Sequence, residues 1–578
     1  MEASDSSKSA NINILAKGKN TYDAIVVGSG ISGGWAAKEL CEKGLKTLVL
    51  ERGRNVEHLK DYPTALKGPW DFQHHLKMPL SVTKDNPVVS RCYAFDESTA
   101  HFFVKDTDHP YVQEKPFDWI RGYQVGGKSL LWWRQTQRWS QHDFEGPARD
   151  GYAVDWPIRY NDIAPWYSYV EKFVGISGNR DGLDILPDGE FLPAWEMNCV
   201  EKDIASRIMG KYPGRHVVQG RCAHLTKPEP IHLQQGRGQC QARNQCERGC
   251  PFGGYFSSNS STIPWAKRTG NLTLRPFSVV HSVIYDDKLG KATGVKVIDA
   301  ETMQEHEYYA DLIFINAACL NTNLILLNST SSRFPNGLGN DNGLLGKYVA
   351  FQNYRGNIFA DFDGPADKYY YGRRPTQPMI PNFRNLQKHE MDFQRGYMMF
   401  YGADRPRANA EGIGGAFKDA LGEPGPWRVS MSMQGETIPK EVNHVRLSTD
   451  KKDKWGIPLL VTSVGYDDND EKLLKDFLQT GSEMLHAAGC TNIQTVDTGQ
   501  APGLDIHEVG GVRMGNDPKT SLLNKWNAMH HCPNVFVTDG ACMTSTGVQN
   551  PSITFMALTA RAVNHAIDEF KKGTKTNS

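Results

Sequence analysis

"YDAIVVGSGISGGWAAKELCEKGLKTLVLERG", residues 22–53, decides the fold. Tyr22 to Val27 is a short apolar run of strand formers. Gly28, Gly30 and Gly33 follow as G-x-G-x-x-G. "GWAAKELCEKG" has helical spacing and stops at Gly44, and "KTLVLE" is a second buried strand ending on Glu51. Strand, glycine turn, helix, strand and acid together make a complete β-α-β dinucleotide unit. The first glycine permits the tight turn, the second lets the backbone approach a pyrophosphate, and the third lets helix and strand pack closely. The helix N-terminus then faces the phosphates. Glu51 stands where an acid accepts hydrogen bonds from an adenosine ribose, and an acid there argues against a 2′-phosphate.

The rest of the chain must supply more than this unit. Its 578 residues exceed what one hydrophobic core holds, so at least two domains are expected. Hydrophobic residues make up 39% and charged residues 22%, a globular balance. Lys+Arg and Asp+Glu both number 65, so nothing drives the chain electrostatically onto nucleic acid or an anionic membrane. No apolar run reaches the length of a membrane helix. The N-terminus "MEASDSSKSANINILAKGKN" has no apolar core of signal-peptide length, so export, if it occurs, is expected to rely on a partner.

Beyond Glu51, the stretch from about Arg54 to Phe117 is rich in His, Tyr, Trp and Pro, and is expected to cover something. "NLTLRPFSVVHSVIYDDKLGKATGVKVID" reads as a strand and a hairpin, and "ADLIFINAACLNTNLILLNS" as a buried strand leading into a helix. From about Ala350 to Gly465 the pattern alternates, which predicts a second, mostly antiparallel sheet. "DNDEKLLKDFLQTGSEMLHAAG" is an amphipathic helix, and "NVFVTDGACMTSTGVQNPSITFMALTARAVNHAI" returns to the nucleotide domain as strand, loop and long helix. The fold class is therefore α/β: a Rossmann-like domain plus a substrate domain with a mostly antiparallel sheet. The first is expected from 20–60, 115–150, 230–335 and 500–570, the second from 61–114, 151–229 and 336–499.

Four segments, "GSGISGG…ERG", "VGGKSLLWW", "HEVGGVRMG" and "VTDGACMTSTGVQNPSITFMALTARA", occur in the order found in the glucose–methanol–choline (GMC) oxidoreductases, and the chain resembles that family from about Tyr22 to Ile567. The resemblance implies an FAD enzyme that takes a hydride from an alcohol. It places Gly28, Gly30, Gly33 and Glu51 on the ADP half of FAD, and Gly126, Gly127 and Ser129 along the flavin. Asp539 and Gly540 would approach the pyrophosphate and ribityl chain, and Val280 joins the same cofactor set. The helix starting near Pro551 would aim its N–H groups at the flavin C2 carbonyl, where reduced flavin is anionic. Leu131 stands where some relatives attach FAD through a His, so the cofactor is expected to be non-covalent. The catalytic His of the family maps to His507, a residue type suited to removing the hydroxyl proton. Its partner position maps to Asn550, which would hold the substrate oxygen.

One stretch is left over. "CQARNQCERGCP", residues 240–251, places Cys240, Cys246 and Cys250 within eleven residues. Ordinary loop thiols are one reading. Structural zinc, with His232, Cys222 or His224 as a fourth ligand, is a second, although C-x₅-C is a poor zinc spacing. The third is an iron–sulfur cluster on a short loop (236–256) that ends in Cys-Pro. That spacing resembles the bacterial iron–sulfur sugar dehydrogenases of the family, and among them glucoside 3-dehydrogenases, which form 3-keto sugars. The resemblance implies a 3Fe–4S cluster and a cytochrome c acceptor. It also implies a small subunit carrying the export signal, a periplasmic location, and membrane association only through such partners. Glucose 1- or gluconate 2-dehydrogenase, or a peroxide-forming oxidase like pyranose oxidase, are the rival readings. Gln352, Asn353 and Gln434 are the expected sugar contacts from the sheet domain.

Overall fold

The computed structural model describes residues 20–368, 375–406 and 412–576. The opening motif folds as its pattern requires: β1 (Thr21–Val27), helix α1 (Ile31–Glu42), β2 (Thr47–Leu50). The inner residues of β1 and all of β2 are buried, as expected for strands covered on both faces. β3 (Leu272–Arg275) pairs with β2. The hairpin of β4 (Ser278–Asp286) and β5 (Lys291–Asp299) runs antiparallel onto β6 (Glu305–Ile315). β6 lies between β1 and the C-terminal strand Cys532–Val537, parallel to both, in one eight-stranded sheet. Val27 is level with Leu50 on one side and Ile315 on the other, so the loops after three strands open at one edge. Ligands of such sheets bind in that crevice.

Helix α1 buries ten of its residues, including Trp35, which meets the Phe173 ring edge-on at 5.3 Å. Helix α2 (Cys319–Asn328) follows β6, and the long helix Ser552–Thr576 closes the domain.

The second sheet has seven strands, all paired antiparallel. Its centre is β7 (Gln352–Asn353), β8 (Gly356–Phe362), β9 (Tyr397–Asp404) and β10 (Trp427–Glu436), with β11 (Thr491–Asp497) at one edge. The Asp467 side chain caps helix α3 (Asp468–Ala487), which lays Leu473, Leu474, Phe477 and Met484 on Ile358, Met431 and Met433. Fully burying each such side chain stabilises by roughly 1.5–3 kcal/mol.

Packing does not follow the chain at every point. Helix Tyr160–Val174 contributes Ile163, Tyr167 and Val170 to the first core, although the sequence placed residues 151–229 with the substrate domain. A small sheet of Val112–Gln113, His444–Lys452 and Pro458–Ser463 also contributes Val445 and Leu460 to that core. The covering excursion is built mainly of short turns around Val88, Val89, Phe95 and Ile120.

Candidate active site

A cavity of about 730 Å³ runs from the glycine turn to His507. Its floor explains the division of labour among the glycines. Gly28 has φ +94°, and a Cβ there would stand 2.3 Å from the Asn316 carbonyl oxygen, so only glycine fits the turn. A Cβ on Gly33 would meet the Gly28 oxygen at 1.9 Å, so that glycine serves helix packing. Gly30 has nothing within 4 Å of an added Cβ; it borders open cavity. That is the cradle a pyrophosphate needs. Glu51 is buried at the cavity wall. Its Oε2 accepts from the Ser29 amide (3.1 Å) and hydroxyl (2.5 Å), and its Oε1 from the Gly53 amide (3.0 Å). Burial pushes its carboxyl above the usual range, and those donors oppose the shift.

The second glycine motif adds a wall. Gly127 and Ser129 face the cavity, whereas Gly126, φ +89°, is packed so tightly on Asn259 that a Cβ would lie 1.6 Å from its Oδ1. Leu131 and Val280 border the cavity as well, as do Asp539 and Gly540. Asp539 accepts from Thr322 Oγ1 (2.6 Å) and the Ala541 amide (2.9 Å), while burial raises its pKa to about 6. Pro551 stands just ahead of the final helix, accepting from the Phe555 amide at 3.0 Å; Asn550, Ser552 and Phe555 present themselves to the cavity.

His507 sits at the far end with its ring edge-on to Tyr354, centroids 6.0 Å apart. Its Nδ1 lies 2.6 Å from Gln352 Oε1. Burial, and then the Lys128 ammonium, depress its pKa to about 3, so the imidazole is neutral at physiological pH. Lys128 Nζ bonds Glu508 Oε2 at 3.3 Å.

Gln352 and Gln434 do not contact substrate as expected. Both are fully buried and held by the chain just before Asn550. Gln352 Nε2 donates to the carbonyls of Gly547 (2.8 Å) and Gln549 (3.1 Å), and Gln434 Nε2 to that of Val548 (2.7 Å). Turning the Gln352 amide would set its oxygen against two carbonyls, at about 1–3 kcal/mol for each buried group left unpaired. Asn353 is corrected too: it is buried away from the cavity and bonds the Asp470 carbonyl at 3.2 Å. The sheet instead offers Tyr354, Asn357 and Ser432 to the cavity. Asp505, also on the wall, accepts from the Gln352 backbone N–H (2.8 Å) and has its pKa pushed to about 7 by burial. Asp505 and Glu508 flank His507 in "LDIHEVGG"; nothing local marked Tyr354.

The cysteines lie elsewhere. Cys240 and Cys246 border one small cavity of about 30 Å³ with Arg134, and Cys250 Sγ accepts from the Gly254 amide at 3.3 Å. Burial pushes the Cys246 thiol up to about 11 and raises that of Cys240. Cys246 Sγ is 3.7 Å from His224 Nε2. His232 bonds main-chain atoms on both ring nitrogens. Among the described residues, no group of three or more His, Cys, Asp or Glu converges closely enough to hold a metal ion. Neutral thiols have no attraction that would gather them without a bridging cation. Yet the buried Arg134 leaves Nε and Nη1 unpaired beside them, as does His224 its Nδ1. Soft donors next to unpaired cationic N–H groups suit an anionic thiolate cluster.

A Rossmann-like sheet with an open pyrophosphate cradle, continuous with a cavity that ends at a neutral histidine, defines a dinucleotide-dependent oxidoreductase. Two family models described as GMC oxidoreductase match residues 22–342 and 439–559, and the chain belongs to that family and takes FAD. It is 27% identical to 2-methyl-1,2-propanediol dehydrogenase of Mycolicibacterium austroafricanum, over 95% of each chain. It is 24% identical to the fructose dehydrogenase large subunit of Gluconobacter japonicus, over 95% of this chain and 98% of the relative. The crystal structure of pyridoxine 4-oxidase from Mesorbium loti shares the fold, with a TM-score of 0.60 at 15% identity over 94% of this chain and 98% of that one.

Proposed function

We propose that the protein is an FAD-dependent dehydrogenase that oxidises a secondary hydroxyl of a sugar or glycoside, at C3, to give a 3-keto sugar. The observation that carries the reading is His507, a neutral imidazole on the cavity that is continuous with the pyrophosphate cradle. Hydride acceptance is the chemistry FAD supplies when bound, and the open space at Gly30 with the Glu51 wall fits its ADP half. Leu131 offers no nucleophile for a covalent link, so FAD is held non-covalently. His507 removes the hydroxyl proton, and Asn550, whose buried Oδ1 has no partner, orients the substrate. The sugar relatives of this family favour a polyol ring as substrate, and Tyr354, Asn357 and Ser432 offer it an aromatic face and two polar groups.

In the same proposal Cys240, Cys246 and Cys250 hold a 3Fe–4S cluster, whose contribution is one-electron chemistry. Arg134 compensates its charge. The acceptor is a cytochrome c, and a small subunit carries the export signal to the periplasm. The test is anaerobic mixing of the holoprotein with a panel of glucosides. Bleaching of the flavin, with 3-keto product and slow peroxide formation in air, is the expected result. Rapid peroxide formation and no iron would mean an oxidase; flavin that no sugar bleaches would end the reading.

A further inference from the structure

Two glutamines from the sheet domain are clamped by three consecutive carbonyls, those of Gly547, Val548 and Gln549. We infer that this pair fixes the two protons beside the catalytic base: Gln352 holds His507 in the tautomer with hydrogen on Nδ1 and a free lone pair on Nε2, and Gln434 makes the Tyr354 hydroxyl a donor to Gln434 Oε1. The inference rests on the role proposed for His507 and deepens it.

The argument uses only which atoms can donate. A carbonyl oxygen accepts and never donates. The Gly547 and Gln549 carbonyls therefore oblige the Gln352 amide to present its NH₂ to them, and its Oε1 must be the atom 2.6 Å from His507 Nδ1. That oxygen cannot donate, so Nδ1 carries the hydrogen. The neutral ring then has its one lone pair on Nε2, the nitrogen that must receive a proton. The same logic runs through the second clamp. Val548 holds the Gln434 NH₂, so Gln434 Oε1 accepts from the Tyr354 hydroxyl. Tyr354 is left with an oxygen lone pair on the side where the Asn550 side chain lies. Asn550 Oδ1 then has no partner within the protein. It is free to accept from a substrate hydroxyl, in keeping with the sequence expectation that Asn550 holds the substrate oxygen.

The balance is simple. The substrate O–H bond would break with its proton passing to His507 Nε2, and the C–H pair would leave as hydride, which FAD would accept when bound. Gln352 touches no reacting atom; it is a positioning residue. The charged and titratable groups facing His507 are Lys128, Glu508, Asp505 and Tyr354, all of which the variants below leave in place.

Two measurements test it. Ring ¹⁵N shifts of the parent holoprotein, with His507 assigned by its absence from a His507→Gln spectrum, should show a protonated Nδ1 and a bare Nε2. This reading needs no substrate, so it stands or falls apart from the sugar assignment. A protonated Nε2 would overturn the inference. Then Gln352→Leu should slow anaerobic flavin reduction roughly ten- to a hundred-fold with FAD content kept. Gln352→Glu should recover part of the rate and move the acid limb of the pH profile upward, because a carboxylate at Nδ1 favours the charged ring. A purely structural role would lower both variants alike and leave the limb where it was. If neither variant binds FAD, the ¹⁵N result alone decides.

Discussion

The His507 cavity and the Cys240–Cys250 loop are the two chemical regions of this chain, and they are built in opposite ways. His507 is oriented by residues far away in sequence: Gln352 and, through Gln352, the carbonyls of Gly547 and Gln549. The protons on its Nδ1 and on the neighbouring Tyr354 hydroxyl each have one allowed position before any ligand arrives. The cysteines come from one short stretch, pinned to its neighbours by arginines. Arg243 reaches the Ala65 carbonyl, and Arg248 the Lys67 carbonyl at 3.1 Å. Their thiols are close in sequence but not convergent in space. The fold makes the first site; the second, on the proposed reading, would take its final form only with a bound cluster. Preorganised polar groups do chemistry without reorganising, whereas a metal-binding loop couples binding to local folding.

The contrast can be broken or sharpened by experiment. His507→Ala should lower flavin reduction about a hundred- to ten-thousand-fold while leaving FAD content and iron content as in the parent. Rapid-mixing rates within a few-fold of the parent would remove the histidine from the chemistry. Cys246→Ser should do the reverse. Iron analysis and electron-paramagnetic resonance should show the metal centre lost, and turnover with a cytochrome acceptor should drop by roughly an order of magnitude or more. Sugar should still bleach the flavin at close to the parental rate. Stoichiometric zinc, or no metal in protein made with ample iron, would return the loop to a structural role.

The glycines offer a milder test of preorganisation. Gly30→Ala should fold, since its Cβ meets only open cavity, yet weaken FAD about tenfold, or 1.4 kcal/mol. Gly28→Ala should fail to accumulate as folded protein, since its Cβ would meet the Asn316 carbonyl. Equal FAD affinity of Gly30→Ala and the parent, by fluorescence titration, would detach the pyrophosphate from this turn.

The smallest effect is in pH. His507 is held near 3, below its unfolded value of about 6.5. The neutral base therefore persists as pH falls from 8 to 5, and its burial costs stability progressively as pH falls from about 6.5 toward 3. Asp505, raised to about 7, is a wall carboxylate that titrates near neutrality, Asp539 titrating lower, at about 6. A shallow, few-fold inflection in the reduction rate near pH 7 should therefore vanish in Asp505→Asn. An acid limb at about pH 6.5 in both proteins would show the ring is hydrated.

Much of the fold was legible because its signals are local. A strand, a glycine turn and an acid within thirty residues can be read without knowing what they touch. The hairpin of β4 and β5 and the capped helix α3 were legible for the same reason. The cavity's lining was legible only where it coincided with such a motif, as at His507 and Asn550. Gln352 and Gln434 looked like polar residues available to a sugar, because a sequence shows that an amide exists and not which carbonyls hold it. The packing of Tyr160–Val174 was hidden likewise: its apolar stripe has a period but no address. The cysteine spacing was the most legible feature of all, and the fold adds least to it.

The ribbon Gly547–Gln549 has a consequence for anyone who wants to change what this enzyme accepts. It anchors both glutamines by its main chain, and is itself lodged against Trp139: a Cβ on Gly547 would lie 2.9 Å from that ring, and the indole N–H donates to the Gln549 carbonyl at 3.4 Å. Libraries aimed at substrate range therefore have two unequal regions to draw on. Asn357 and Ser432 project from sheet strands into the cavity and can be varied freely. Trp139 and Gly547, neither of them a wall residue of that cavity, are where a single conservative exchange would detune the reaction for every substrate at once.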